Sequence, residues 1–193
     1  MIQELIFATG NKNKALEIES ALPQNFVVKT MQEAGIDLDI PEPYETLEEN
    51  SQHKAATIYE VTKKNCFAED TGLEIASINN EPGVRSARYA GEPKNDKKNI
   101  EKLLLRLTGI ENRTARFRTV MTLIVNGKQY QFEGVCNGTI NDSPIGINGF
   151  GYDAVFIPDG STHTFAQMDL EEKNKFSHRK KAFSQMLTFL KNL

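Results

Sequence analysis

The sequence predicts a mixed α/β sheet with helices packed around it, and three observations carry that expectation. The chain opens on an apolar run that turns directly into a segment with helical spacing, two β-rich runs flank Asn126-Gly127, and amphipathic helical stretches recur between the strands.

Residues 4–9 read as a buried strand and 11–22 as a helix, with Ala15, Leu16, Ile18 and Leu22 at helical spacing. Phe26-Val27-Val28 is a short second strand. Residues 37–45 form an acidic loop, because Pro41 and Pro43 each deny a ladder donor. A second helix is expected from about 48 to 64. Cys66-Phe67-Ala68 reads as a brief strand ending in Glu69-Asp70-Thr71-Gly72, and 73–78 alternates as the next, which sets the acidic pair between two strands. Residues 82–94 are rich in Gly, Arg and Pro. A helix over 95–107 follows, with Ile100, Leu103, Leu104 and Leu107 on one face. The runs 116–124 and 128–135 form a long hairpin, because Asn126-Gly127 tolerates positive φ at both turn positions. A glycine-rich loop over 142–153, a strand over 154–157 and one closing helix over 171–193 complete the chain.

With 193 residues, 39% hydrophobic and 25% charged, the chain is long enough to bury a sizeable core, and 1–193 is expected to be a single domain. A net charge of −3 argues against binding duplex nucleic acid, which needs a basic face. Cys66 and Cys136 lie in apolar runs without metal-ligand spacing, so buried free thiols in a reducing cytoplasm are expected. The absence of a leader pattern and of any long apolar run points away from secretion and membrane insertion.

Four segments could carry chemistry. Thr9-Gly10-Asn11-Lys12-Asn13-Lys14 leaves a strand and enters a helix, where outward amides and a lysine can bind a polyphosphate; the plain alternative is that Asn11 only caps the helix. Glu42, Glu45, Glu48, Glu49 and the pair Glu69-Asp70 supply carboxylates from separate segments, as a hard divalent cation needs, although most such residues are simply solvated. In residues 146–153 the glycines admit close approach of a flat ligand, Phe150 or Tyr152 can stack on it and Asp153 can accept hydrogen bonds; a turn with core aromatics is the alternative. Lys173, Ser177, His178 and Arg179 cluster donors suited to a carbonyl or a phosphate, or form an ordinary solvated face.

Taken in order, the segments resemble the inosine triphosphate pyrophosphatase family, enzymes that clear non-standard purine nucleotides. The likeness covers nearly the whole chain: Thr9-Gly10-Asn11 with Lys14, Glu42 with Thr46-Leu47-Glu48-Glu49-Asn50 and Lys54-Ala55, Ala68-Glu69-Asp70-Thr71-Gly72-Leu73, Pro82-Gly83-Val84, Ser86-Ala87-Arg88-Tyr89-Ala90-Gly91, Gly149-Phe150-Gly151-Tyr152-Asp153 and Ser177-His178-Arg179. Each motif is weak alone; their joint order is specific. The resemblance implies an elongated two-lobed α/β fold with the substrate in a cleft between the lobes, commonly a homodimer. It implies hydrolysis of ITP, dITP or XTP to the monophosphate and pyrophosphate with Mg2+. Residues 9–14 would hold the triphosphate, Glu42 and Asp70 the metal, Asp70 would be the catalytic base, and Thr71 would touch substrate. Phe150, Gly151, Tyr152, Asp153, Lys173, His178 and Arg179 would form a base pocket favouring a 6-oxo purine. Leu47, Arg85, Ala154 and Gln167 depart from the family's usual Phe, Tyr, Pro and Glu. A modified-pyrimidine pyrophosphatase, a non-hydrolysing nucleotide sensor and an RNA-binding module are the competing readings.

Overall fold

The computed structural model describes residues 3–193. In chain order its elements are β1 (Gln3–Phe7), α1 (Lys12–Glu19), β2 (Phe26–Thr30), α2 (Leu47–Thr62), β3 (Cys66–Ile75), β4 (Glu81–Gly83), α3 (Asp96–Arg106), β5 (Thr114–Val125), β6 (Lys128–Ile140), β7 (Phe156–Pro158), α4 (Leu170–Phe176) and α5 (His178–Lys191). The seven strands form one sheet ordered β2-β1-β3-β5-β6-β7, with β4 paired to β3 off that path. β2 and β3 run parallel to β1, whereas β4 and β7 run antiparallel to β3 and β6. The sheet is therefore mixed, as expected, and α1 and α2 lie in the crossovers that parallel pairing requires.

The chain divides into two compact units. Met1–Asp70, Thr119–Gly134 and Arg179–Leu193 form the first, and Thr71–Arg118 and Val135–His178 form the second. In the first unit successive strand residues point to opposite faces, and each face has its own core. Leu5, Phe7, Phe67, Met121 and Leu123 pack with Ile18 of α1 and with Phe183, Met186 and Leu190 of α5. Ile6, Ala8, Cys66, Ala68 and Ile124 pack with Ala55 and Ile58 of α2. In the second unit Ile100, Leu103 and Leu107 of the α3 segment join Leu73, Ile75, Phe117, Phe156 and Phe165 in one core. Leu104 packs against it partly buried, so the predicted helix face is essentially the observed one.

Several boundaries differ from expectation. The acidic pair does not sit between two strands but inside one, β3, where only Thr71 and Glu74 escape full burial. Gly72 does not end the strand. A Cβ there would come within 2.7 Å of the Gly83 carbonyl oxygen, so this glycine serves the close approach of β4. Residues 76–78 form a 3-10 turn rather than more strand. β5 and β6 outrun the predicted hairpin, whose turn has the expected positive φ at Asn126 (51°) and Gly127 (76°). The closing helix is broken at Ser177, whose ψ of 121° separates α4 from α5. Neither glycine nor proline marks that break.

Gln167 accepts from the Thr164 amide (2.9 Å) in a capping box. Its amide oxygen performs there what a glutamate would, which accounts for the tolerated departure. Cys66 and Cys136 are buried and neither is in a disulfide, and burial pushes the Cys66 thiol up to about 12, which makes it inert. Among the described residues no helix is long and apolar enough to cross a membrane.

Candidate active site

The alternation of β3 decides what Glu69 and Asp70 can do. Neighbours on a strand face opposite ways, so Glu69 shares the side of Phe67, toward α1 and α5, and Asp70 that of Ala68, toward α2. Two adjacent carboxylates thus enter two different charge clusters of the first unit.

Asp70 meets the ammonium of Lys54, whose Nζ donates to Asp70 Oδ1 at 3.3 Å and to Glu42 Oε1. Local sequence sets this up. Thr46 caps α2 by accepting from the Glu49 amide (3.2 Å), and one turn later the buried Asn50 accepts from Tyr44 N (3.0 Å) and donates to Tyr44 O (2.9 Å). These two hydrogen bonds pin the proline loop carrying Glu42, while Lys54 stands on the same helix face four residues on. Burial and the Glu42 charge raise the Asp70 pKa against the opposing pull of Lys54. The Lys54 pKa is itself raised: burial lowers it, but Asp70 and Glu42 more than compensate. Asp70 Oδ2 is buried and has no hydrogen-bond partner among the described residues.

Glu69 lies in the second cluster. Its Oε1 is 3.0 Å from Lys14 Nζ and its Oε2 accepts from Arg179 Nε at 2.7 Å, while Arg179 Nη1 donates to Glu17. Two anions and two cations balance, as buried charge demands. Burial pushes Glu69 upward, yet Arg179 and Lys14 hold its carboxyl well below the ordinary 4.5. Lys14 is the one partly solvated member, its side chain 18% exposed against 3% for Arg179.

At the start of α1, Asn11 caps the helix through Asn13 N (3.0 Å) and Lys14 N (3.3 Å), and Thr9 Oγ1 accepts from Asn11 N (3.1 Å). Thr9, Gly10, Asn11 and Lys12 line a cavity of about 310 Å³ together with Leu16 and Thr30. Lys12 is therefore at that cavity, whereas Lys14 reaches Glu69.

The second unit holds the glycine-rich loop. Asp153 Oδ2 accepts from Lys173 Nζ (2.6 Å) and from Phe150 N (2.9 Å), and all but a sliver of both charged side chains is buried. Lys173 Nζ also lies 5.2 Å from the centroids of Phe150 and Phe165. Gly149 has a φ of 76°, and a Cβ there would stand 2.0 Å from Asp153 Oδ2, so only glycine admits this pair. His178 is buried, its ring stacked on Phe117 with centroids 4.7 Å apart.

The predicted site residues thus gather in part. Glu42 joins Asp70 through Lys54, and Phe150, Asp153 and Lys173 meet. Thr71 follows Asp70 in β3, half-buried. Tyr152 is not placed to stack: it is buried and its hydroxyl donates to the Ser86 carbonyl at 2.8 Å, which leaves the half-exposed Phe150 as the available ring. Arg179 pairs with the carboxylates Glu17 and Glu69 of the first unit, in the new helix that starts after the break at Ser177. Sequence reasoning missed Lys54 and Asn50 as site builders, although their spacing on a predicted helix was a usable signal, and it missed Glu17. Among the described residues no group of three or more His, Cys, Asp or Glu side chains is arranged to hold a metal.

Known proteins resemble the chain along nearly its whole length. A profile of the Ham1 family matches residues 5–189. The chain is 47% identical over 189 residues to a dITP/XTP pyrophosphatase of Flavobacterium psychrophilum, covering 98% of this chain and 100% of that one. It is 46% identical to the dITP/XTP pyrophosphatase of Flavobacterium johnsoniae, covering 97% of each. Among solved structures it is similar to the Staphylococcus aureus Ham1 protein, with a TM-score of 0.88, 36% identity and coverage of 98% and 99%. A HAM1 protein from Coxiella burnetii aligns with a TM-score of 0.89 at 34% identity, covering 99% of this chain and 100% of that one.

Proposed function

Because the chain belongs to the Ham1 family and is, like its curated relatives, a nucleoside-triphosphate pyrophosphatase, we propose that it hydrolyses ITP, dITP and XTP to the monophosphate and pyrophosphate, with magnesium and with Asp70 as base. The observation that carries the reading is the state of Asp70: buried, raised in pKa, and presenting an oxygen without a hydrogen-bond partner. A carboxylate in that state is suited to accept a proton from water.

The residues fit a divalent cation. Magnesium takes a few hard oxygen ligands and keeps its other positions for water and phosphate. Glu42 and Asp70 would be such ligands: the orphaned Asp70 Oδ2 is a ready acceptor, and both carboxylates already attract one cation, the Lys54 ammonium. When bound there, the metal would supply positive charge against the triphosphate.

The chain's own groups do the rest. Lys14 is held near its place by Glu69 and, being partly solvated, can turn to a phosphate while Arg179 keeps Glu69 paired. Asp70 takes a proton from the water that attacks the α-phosphorus, and pyrophosphate leaves with the bonding electrons. In the second unit Phe150 offers a face to the base, and Lys173, held by Asp153, offers donors to a 6-oxo group. An adenine amino group leaves such donors unmatched, at a cost of about 1–3 kcal/mol. The family resemblance extends the proposal to Thr71, Gly151 and His178 as substrate contacts and to a cytoplasmic homodimer.

The decisive experiment is a substrate panel with magnesium and separate detection of pyrophosphate and orthophosphate. ITP or XTP should yield pyrophosphate far faster than ATP or GTP does; orthophosphate as the first product overturns the reaction type. In the same assay Lys173→Ala should lower kcat/KM for ITP about tenfold while changing that for ATP little. Equal losses on both substrates would remove Lys173 from base recognition.

A further inference from the structure

The glycine loop that carries Phe150 does not hold its shape alone. Gly149 and Gly151 both have positive φ (76° and 60°), so Phe150 sits between two residues in the left-handed region. Such a turn has many alternatives unless its amides are tied down. Two successive amides are: Phe150 N donates to Asp153 Oδ2 at 2.9 Å, and Gly151 N donates to Asp96 Oδ2 at 2.7 Å. The first tie lies within the loop, and its acceptor is the oxygen that also receives Lys173. The second comes from 55 residues away, from the first residue of α3.

α3 is well anchored for this task. Asn95 caps it through Lys98 N (3.0 Å), and the buried Asn99, one turn beyond Asp96 on the same face, accepts from Ala90 N (2.7 Å) and donates to Ala87 O (3.0 Å). Tyr152 closes the circuit, its hydroxyl bonded to Ser86 O at 2.8 Å. One helix turn therefore grips the loop at Gly151 and the 86–90 segment at Asn99. A charge-assisted bond to a loop amide is stronger than a neutral one, and Asp96 is half-buried, where water competes less.

From this geometry we propose that Asp96 is a positioning residue for purine recognition: by fixing the Gly151 amide it sets the ring of Phe150 and the Asp153–Lys173 pair for the base. The inference rests on the reading of that loop as the base-binding element. It assigns Asp96 no contact with substrate.

The test separates the base from the phosphates. For wild type, Asp96→Ala and Asp96→Asn, KM and kcat for ITP are measured together with the inhibition constant of inorganic triphosphate, which has no base. Asp96→Ala should raise KM for ITP about tenfold, the equivalent of losing one charge-assisted hydrogen bond, with kcat and the triphosphate constant within about twofold. Asp96→Asn keeps an acceptor oxygen and should recover most of the loss. If alanine unsettles α3, Asp96→Ser, a residue at home at a helix start, carries the same expectation. Parallel losses in KM and in triphosphate inhibition would mean a general structural role and overturn the proposal. An unchanged KM in Asp96→Ala alongside a raised KM in Phe150→Ala would overturn it too, with the base-loop reading intact. Unchanged KM in both Phe150→Ala and Lys173→Ala would instead overturn the base-loop reading, and the role of Asp96 with it.

Discussion

Asp70→Asn should lower the rate of pyrophosphate release by about 10²–10⁴-fold while leaving the protein folded. The substitution preserves shape and one acceptor oxygen but removes the charge that accepts a proton and binds metal. Lys54 keeps Glu42 as a partner, so no isolated cation is left behind. Two readings should therefore move together: turnover at saturating ITP falls, and the magnesium concentration needed for half-maximal rate rises. Thermal unfolding should shift little. Turnover near that of wild type would place the base on another residue; a fall in turnover accompanied by loss of the folded state would leave Asp70 a structural role only.

Arg179→Ala should produce the largest loss of stability. The guanidinium is the shared partner of Glu17 and Glu69, both of which are buried, and its removal leaves Lys14 as the neighbouring cation for Glu69. Breaking a buried ion pair by deleting one member costs about 3–5 kcal/mol, because the remaining charge keeps its desolvation penalty. Lys14→Ala should cost much less, since that ammonium is partly solvated and water can replace it. Urea unfolding of the two variants measures the difference, and a loss below about 1 kcal/mol for Arg179→Ala would remove the cluster from the stabilising core.

The same cluster sets a pH dependence. Burial raises the Glu69 carboxyl, but Arg179 and Lys14 reverse the shift and hold it well below its ordinary 4.5. A carboxyl depressed in the folded state contributes stability above its unfolded value and loses it as pH falls toward the folded one. Acid sensitivity should therefore grow below about pH 4.5 in wild type.

Much of this molecule is legible in its residues. Asn126-Gly127 between β-rich runs points to a hairpin, because that pair accepts positive φ twice at little cost. Asn11 and Asn95 mark helix starts, since their side chains can satisfy amides that the helix leaves unpaired. The ordered motifs point to the family and so to pyrophosphate chemistry. These are local properties, or properties of order along the chain, and local stereochemistry suffices to read them.

What only the tertiary structure decided is where charges meet. Glu69 and Asp70 look like one acidic pair in the sequence; the continuity of β3 turns them to opposite faces, one to Arg179 and Lys14, the other to Lys54. Arg179 looks like part of a single closing helix with Lys173, yet a break without glycine or proline separates two helices, and its partners are Glu17 and Glu69. Tyr152 looks like a stacking ring, and burial commits it to Ser86. Asp96, silent in the sequence, reaches a loop 55 residues away. The reason is common to all four. Spacing along the chain reports which face of an element a residue occupies, but the partner of a buried charge is set by long-range packing, which no local pattern encodes.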